Sequence, residues 1–201
     1  MRKKIVYLTI VAASFAVVMF GCAKVPQQEL SAAKASLDSA RVLEADKYVT
    51  EDFVAARDSL NAAITEIQKQ KSANQLTRNF NRAKSLLASA TTAAKNAGAK
   101  AQAEKQKVQA EVDALLTKAT TLLGETKGLL PKAPKGKAAL EAIGSELSAV
   151  DSEISEAQTL KSNGNLIGAR DKANASNVKL DSIKSELNNA IEKTSEKSKK
   201  K

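Results

Sequence analysis

Apolar residues recur at alternating intervals of three and four over most of the chain that follows residue 26. This spacing is the repeat of an α-helix that buries one narrow face against a neighbouring helix. Only 3% of the residues are aromatic and none is tryptophan, so Ala and Leu must form most of the buried faces. Small side chains suit close helix packing rather than a thick interior. The sequence therefore predicts an all-α protein, built as elongated antiparallel helical hairpins or a bundle with coiled-coil-like seams.

The strictest pattern lies towards the C terminus. Its first series contains Leu140, Ile143, Leu147, Val150, Ile154 and Ala157, and its second contains Leu166, Ala169, Ala173, Ser176, Leu180, Ile183, Leu187 and Ala190. The sequence Ser-Asn-Gly-Asn at 162–165 separates the two series and is typical of a turn. Two helices joined by so short a connection pack antiparallel. We predict an αα-hairpin over residues 138–192.

An N-terminal helical unit is predicted over residues 27–123. Pro26 suits the first turn of a helix, and the first helix is expected to run from about 27 to 46. The sequence Tyr-Val-Thr-Glu-Asp at 48–52 then interrupts the pattern, with Thr50 as the candidate N-cap of a second helix. Since neither Pro nor Gly enforces this break, a single helix over 27–71 is the alternative.

Another helix of this unit is predicted over residues 76–123, after a tight connection at 72–75. Its buried face is expected to contain Leu76, Phe80, Ala83, Leu87, Ala90, Ala94, Ala97, Ala101, Val108, Leu115, Ala119 and Leu122. The alternative is two shorter helices that divide near Gly98, because Asn-Ala-Gly is a plausible helix ending.

Helix-breaking residues are densest at Gly124, Gly128, Pro131, Pro134 and Gly136. We predict that residues 124–137 form a lysine-rich linker between the N-terminal unit and the hairpin.

Residues 60–84 and 147–170 share an order of apolar residues, turn residues and basic residues. This similarity indicates either a duplicated hairpin or a chance likeness between two Ala-rich segments.

The N terminus has the parts of an export signal. Three cations precede an uncharged run from Ile5 to Phe20, and small residues follow before the single cysteine, Cys22. The sequence Met-Phe-Gly-Cys at 19–22 resembles the lipobox of bacterial lipoproteins, in which the cysteine is acylated and begins the mature chain. We predict a signal peptide at 1–21 and a lipid-anchored linker at 22–26.

Two alternatives exist for this segment. An uncleaved membrane helix would normally need about 20 apolar residues, which is more than this run supplies. An ordinary secretory signal would leave Cys22 as an incidental thiol. In enteric lipoproteins an Asp after the cysteine retains the protein at the inner membrane, and Ala23 stands here. This resemblance implies the periplasmic face of the outer membrane, with the inner membrane or the cell surface as alternatives.

Charge narrows the range of partners. Removal of residues 1–21 takes away three cations and no acid, so the net charge falls from +10 to +7. A basic exported protein suits anionic partners such as lipid headgroups, lipopolysaccharide or the cell-wall polymer, and nucleic acid is not expected. An acylated Cys22 excludes a disulfide within the chain, so stability must come from packing.

The region between Leu30 and Ala97 combines alanines, charged residues and a tyrosine-containing turn. Its distinctive positions are Ala33, Lys34, Ala40, Arg41, Ala45, Asp46, Lys47, Tyr48, Ala55, Ala56, Arg57, Leu60, Ala83 and Lys84. This region resembles an uncharacterised Ala-rich domain common in α-helical bacterial lipoproteins. That family usually has Ala-Pro after the tyrosine, whereas this chain has Val49-Thr50. The resemblance implies a small, helical, periplasm-facing lipoprotein without assigned chemistry.

Catalytic chemistry is disfavoured by composition. The chain has no histidine, which removes the commonest general base and metal ligand and every Ser-His or Cys-His arrangement. A carboxylate- or lysine-dependent enzyme is the disfavoured alternative, because thin helical bundles rarely form catalytic pockets. We predict no enzyme activity, no metal site and no cofactor.

The basic tail at 193–201 ends in Lys199, Lys200 and Lys201. Terminal lysines are usually solvated. A lipid anchor followed by helices and a C-terminal lysine is also similar in plan to the major murein lipoprotein, whose terminal lysine is joined to peptidoglycan. The tail is therefore a candidate peptidoglycan or anionic contact.

The expected function is that of a membrane-anchored, periplasm-facing module of the cell envelope with a structural or protein-interaction role. Its predicted partners are the membrane, through acylated Cys22, and an envelope protein or a second copy, through the helix seams. A peptidoglycan tether through the basic tail is the alternative.

Overall fold

A computed structural model describes residues 24–134 and 136–199, with side chains as far as residue 193. This part of the chain is 88% helical, contains six α-helices and has no strand, which confirms the all-α prediction. The helices are α1 (Gln27–Val42), α2 (Ala45–Tyr48), α3 (Thr50–Ser72), α4 (Asn81–Leu129), α5 (Lys137–Ser162) and α6 (Leu166–Lys199), with a 3-10 turn at Leu130–Lys132.

The first helix ends earlier than predicted. Glu44 has a left-handed backbone (φ 62°), which stops α1 after Val42, and its N–H donates to the Arg41 carbonyl. The predictions of a helix over 27–46 and of a single helix over 27–71 are therefore wrong. Thr50 is the first residue of α3 and not its cap, because its hydroxyl donates backwards to the Asp46 carbonyl at 2.8 Å.

Chain contacts divide the protein into two compact units, Met1–Ala103 (unit 1) and Glu104–Lys201 (unit 2). The division lies within α4.

The predicted linker at 124–137 is wrong in its first half, because α4 continues through Gly124 and Gly128 to Leu129. A Cβ atom added to either glycine would meet no atom within 4 Å, so both glycines lie on the exposed face of α4. Other residues of α4 make its contacts within unit 2. Among the described residues of this region, 133, 134 and 136 lie outside helices.

Unit 1 packs α1, α3 and the first part of α4 around one apolar core. Its buried residues are Ala33, Leu37, Ala40, Ala45, Phe53, Ala56, Leu60, Ala63, Ile67, Phe80, Ala83, Leu87, Ala90, Ala94, Ala97 and Ala101. Ion pairs of Lys84 with Glu29 and of Lys100 with Asp52 connect α4 to the start of α1 and the start of α3. The three helices therefore run up, down and up, and alanine at most contacts allows their close approach.

The helix predicted over 76–123 begins at Asn81 instead of residue 76, and it passes Gly98 without a break. Asn79 ends the preceding loop, since its side-chain oxygen accepts the Asn81 N–H at 2.8 Å. Leu76 lies in that loop and is 93% exposed, so its predicted place in the buried face is wrong.

Unit 2 packs the remainder of α4 against the α5–α6 hairpin. The hairpin prediction is confirmed: α5 and α6 are joined by residues 163–165, and Gly164 supplies the positive φ (78°) of the turn. On the α4 side, Val112 and Leu116 are buried where Leu115 was expected. Ion pairs of Lys127 with Asp151 and of Lys118 with Asp181 join α4 to each partner helix.

The two segments whose sequences are alike, 60–84 and 147–170, bury their helical apolar residues in the same order. The buried residues Leu60, Ala63 and Ile67 of α3 correspond to Leu147, Val150 and Ile154 of α5, which are also buried. The loops differ, because residues 73–80 connect α3 to α4 whereas residues 163–165 connect α5 to α6. Leu76 is exposed although its predicted counterpart Leu166 is buried, so the likeness in burial covers the helices and not the loops.

Candidate binding groove of unit 2

The site residues predicted from sequence lie at or beyond the edges of the described structure. Cys22, Lys200 and Lys201 lie outside the described residues. Lys199 is the last residue of α6, and its side chain is also outside what is described. Acylation of Cys22 and contact of the tail with peptidoglycan or another anion therefore stay predictions.

The seam residues that were expected to recruit a partner are occupied by the chain itself. Leu147, Leu180 and Leu187, for example, are at most 1% exposed, because neighbouring helices of unit 2 cover them. A partner must therefore contact other surfaces, which are the grooves and outer faces of the two units.

A groove of about 610 Å³ lies between α4 and α5 in unit 2. Its lining residues are Asp113, Leu116, Thr117, Thr120, Thr121, Gln158, Lys161 and Ser162. They meet here because one face of α4 repeats every three or four residues opposite the last turns of α5. Hydroxyl groups make this groove more polar than the helix seams.

The hydroxyl groups of the groove already donate to their own helices. Thr117, Thr120 and Thr121 donate to the carbonyls of Asp113, Leu116 and Thr117 at 2.8–3.0 Å. Each hydroxyl oxygen keeps a lone pair for a ligand, but its proton is used in the helix. The groove therefore offers hydrogen-bond acceptors and threonine methyl groups to a ligand.

Charge in the groove is balanced. Lys161 forms an ion pair with Asp113, and its hydrogen bond lowers the pKa of the Asp113 carboxyl, assisted by the Gln109 amide. Asp113 is therefore a carboxylate at neutral pH and is a poor general acid.

A second groove of about 330 Å³ lies between α5 and α6. Val150 and Ile183 line it together with Glu146 and Lys179, and Lys179 is paired with Glu153. Its apolar floor is an extension of the hairpin seam, since Val150 and Ile183 are core residues.

Buried polar residues in unit 2 connect α6 to α4. The Asn177 amide donates to the Leu115 carbonyl of α4 at 2.9 Å and to the Ala173 carbonyl at 3.0 Å. Asn177 Oδ1 and the neighbouring Ser176 Oγ are buried without a hydrogen-bond partner in the structure. A buried amide of this kind fixes the register of packed helices at some expense of stability. Asn177 could not be identified from the sequence, because it lies beside the apolar series and not in it.

Residues 24–134 and 136–199 contain neither a cluster of metal ligands nor a helix that could span a membrane. No group of three or more Cys, Asp or Glu side chains there is placed to hold a metal ion. None of the helices in the same ranges has the length and apolar character needed to span a bilayer.

Comparison with known proteins found no matching family model, no matching curated protein and no matching solved structure. The resemblance of residues 30–97 to the Ala-rich lipoprotein domain therefore stays a prediction that rests on those residues alone.

Proposed function

We propose that this protein is a bacterial lipoprotein, held at the periplasmic face of the outer membrane by acylated Cys22, that acts as a structural or protein-interaction module. The observation that carries the proposal is the order of a basic start, an apolar run and Gly21-Cys22. Two or three acyl chains on one residue supply firm attachment, whereas a single chain binds reversibly.

The fold supports this role because little sequence separates the anchor from the packed helices. Val25 packs against the core of unit 1, and Pro26 is buried at the start of α1. An anchored Cys22 would therefore hold unit 1 close to the bilayer, and the outer faces of the helices would be presented to envelope partners.

Mass spectrometry of the protein isolated from bacterial membranes tests the anchor. We expect a mature chain that begins at Cys22 with diacylglyceryl and amide-linked acyl groups. Cys22→Ala is the control, and it should abolish the mass increase that the acyl groups produce. An intact Met1 together with a free Cys22 thiol would contradict the proposal.

Self-association is tested on the mature chain by light scattering at increasing concentration. A dimer that exchanges with monomer would identify a second copy as a partner. A strict monomer would leave an envelope protein as the partner of the module.

A peptidoglycan tether is the second candidate function, favoured by the basic tail at 193–201, of which residues 193–199 form the end of α6. Muramidase digestion of purified cell walls should then release the protein with a muropeptide on the Lys201 amine. A chain released without any muropeptide would exclude a covalent tether.

A further inference from the structure

One end of unit 1 carries an excess of positive charge. Between Glu66 and Glu104 the sequence contains seven cations and no acid. Lys69 and Lys71 lie in the last turn of α3, and Arg82 and Lys84 lie in the first turn of α4. All four are exposed.

Ion pairs neutralise little of this positive charge, so the cations face solvent. Lys84 is 3.9 Å from Glu29, which is the outer limit of an ion pair. Lys69, Lys71 and Arg82 have no acidic partner among the residues that the structure describes. Arg78 is half-buried and donates to the carbonyls of Lys71 and Ala73, so its charge lies at the end of α3.

An exposed apolar side chain, that of Leu76, lies in the loop between these cations. Leu76 is 93% exposed, which makes it the most exposed of the large hydrophobic residues identified in the described chain. Its loop is well formed, because the Leu76 N–H donates to Asn74 Oδ1 at 3.1 Å and the Asn79 N–H donates to Gln70 Oε1 at 3.0 Å. The fold therefore presents Leu76 to solvent from a fixed turn.

The same end of unit 1 receives the chain from Cys22. The Lys84–Glu29 pair places the start of α4 beside the start of α1, and the loop at 73–80 directly precedes α4. Only Ala23 separates Cys22 from Lys24, and each residue spans at most about 3.6 Å. An acyl group on Cys22 would thus bring this end of the bundle to the bilayer surface.

We propose that this surface, formed by Lys69, Lys71, Leu76, Arg82 and Lys84 and here called the basic end, is a second membrane contact. The cations lie on anionic phospholipid headgroups, and Leu76 inserts at the boundary between headgroups and acyl chains. Basic residues beside an anchor and an apolar side chain are the two components of surface attachment to anionic bilayers. The inference rests on the proposed acylation of Cys22 and adds a defined orientation of unit 1 on its membrane.

A fluorescent label on Leu76→Cys tests the contact in the acylated, full mature protein. Acylation occupies the Cys22 thiol, so a thiol-reactive nitrobenzoxadiazole dye reports on position 76 alone. In mixed phosphatidylglycerol and phosphatidylcholine vesicles we expect a blue shift of the emission and quenching by lipid-borne nitroxides. Both effects should be lost in phosphatidylcholine vesicles and weakened by salt, since salt screens exposed charges.

Two variants provide matched controls. Val42→Cys carries the label on an 81% exposed apolar position at the other end of α1, where no shift is expected. Lys69→Glu combined with Lys71→Glu should reduce the shift at position 76 while circular dichroism stays unchanged, because both side chains are exposed. In the unlabelled protein, amide exchange at residues 75–78 should slow on phosphatidylglycerol vesicles.

The outcomes separate this inference from the proposed function. Labelling of the protein without an introduced cysteine would show a free Cys22 and would overturn the anchor itself. Flotation with vesicles, but a water-like emission at position 76 in phosphatidylglycerol, would overturn the membrane contact alone. An equal shift at position 42 would also contradict it, because the basic end would then have no special role.

Discussion

Gly98 of α4 lies directly against Leu43, at the end of α1. A Cβ atom added to Gly98 would be 2.9 Å from Leu43 Cδ1, closer than normal van der Waals contact, and 3.6 Å from Ala40 Cα. Glycine at this position is therefore explained by the close approach of two helices and not by a helix ending. The same contact accounts for the error in treating Gly98 as a candidate stop.

Alanine substitutions at three helical glycines should separate helix propensity from packing. Gly124→Ala and Gly128→Ala should each stabilise the protein by about 0.5–1 kcal/mol, because alanine is the better helix former and neither position has a neighbour within 4 Å. Gly98→Ala should gain less, since Leu43 must rotate away. Urea unfolding followed by circular dichroism measures the three values, and equal gains at positions 98 and 128 would contradict the packing argument.

Asn177→Asp should lower stability by about 2–3 kcal/mol near neutral pH. The new carboxylate would be buried and would face the carbonyls of Leu115 and Ala173, which now accept hydrogen bonds from the amide. Burial should raise the pKa of this carboxyl, so the loss should shrink as the pH falls and the group becomes protonated. Asn189→Asp, on an exposed position of the same helix, is the control and should change little. A loss that does not depend on pH would contradict this account.

The helix seams could be predicted because their signal is local. Spacings of three and four identify Leu147, Val150 and Leu180 without knowledge of their neighbours, and all three are buried. Positions that depend on tertiary contacts were predicted less well. Leu76 continues the apolar spacing but lies in a loop. The helix α4 continues through Gly128, where the buried Thr126 and the Lys127–Asp151 ion pair join this part of α4 to the rest of unit 2.

The functional residues also fall into two groups: those that a local motif predicts and those that only helix packing brings together. The acylation predicted for Cys22 follows from a contiguous motif and needs no fold, and the residue lies outside the described structure. The groove at Thr117 and Lys161 arises only when α4 and α5 pack, and the burial of Asn177 arises only when α4 and α6 pack. Likewise, the basic end depends on the start of α1 and the loop at 73–80 meeting at one end of unit 1.

Leu180→Ala and Val178→Ala should differ sharply although both remove apolar atoms from α6. Leu180 is fully buried, so its truncation leaves a cavity and should reduce stability by about 2–5 kcal/mol. Val178 is 62% exposed, and its truncation should change stability by less than about 0.5 kcal/mol. Thermal unfolding of the two variants measures the difference, and similar melting temperatures would contradict the packing of α6 in unit 2.

The Asp113–Lys161 pair should make a small, acid-sensitive contribution to stability. The hydrogen bond from Lys161 holds the pKa of Asp113 below its ordinary value of 3.8, so the folded state binds this proton less readily than the unfolded state. The stabilisation is therefore complete above that ordinary pKa and is lost as the pH falls through the lowered value. Asp113 is 49% exposed, so solvent screening should keep the contribution below about 1 kcal/mol.

The comparison of Asp113→Asn with the unchanged protein tests this linkage. Melting temperatures recorded from neutral pH into the acid range should differ most above pH 3.8 and converge once the pH is below the lowered pKa of Asp113, where the Asp113 side chain is uncharged like the substituted Asn. Added salt should reduce the difference, because the pair is exposed. Glu141→Gln is the matched control: it removes a carboxylate that lies 3.9 Å from Lys137 and should leave the pH profile almost unchanged. A difference that grows in acid would reverse the sign of the linkage and would contradict the role of Lys161.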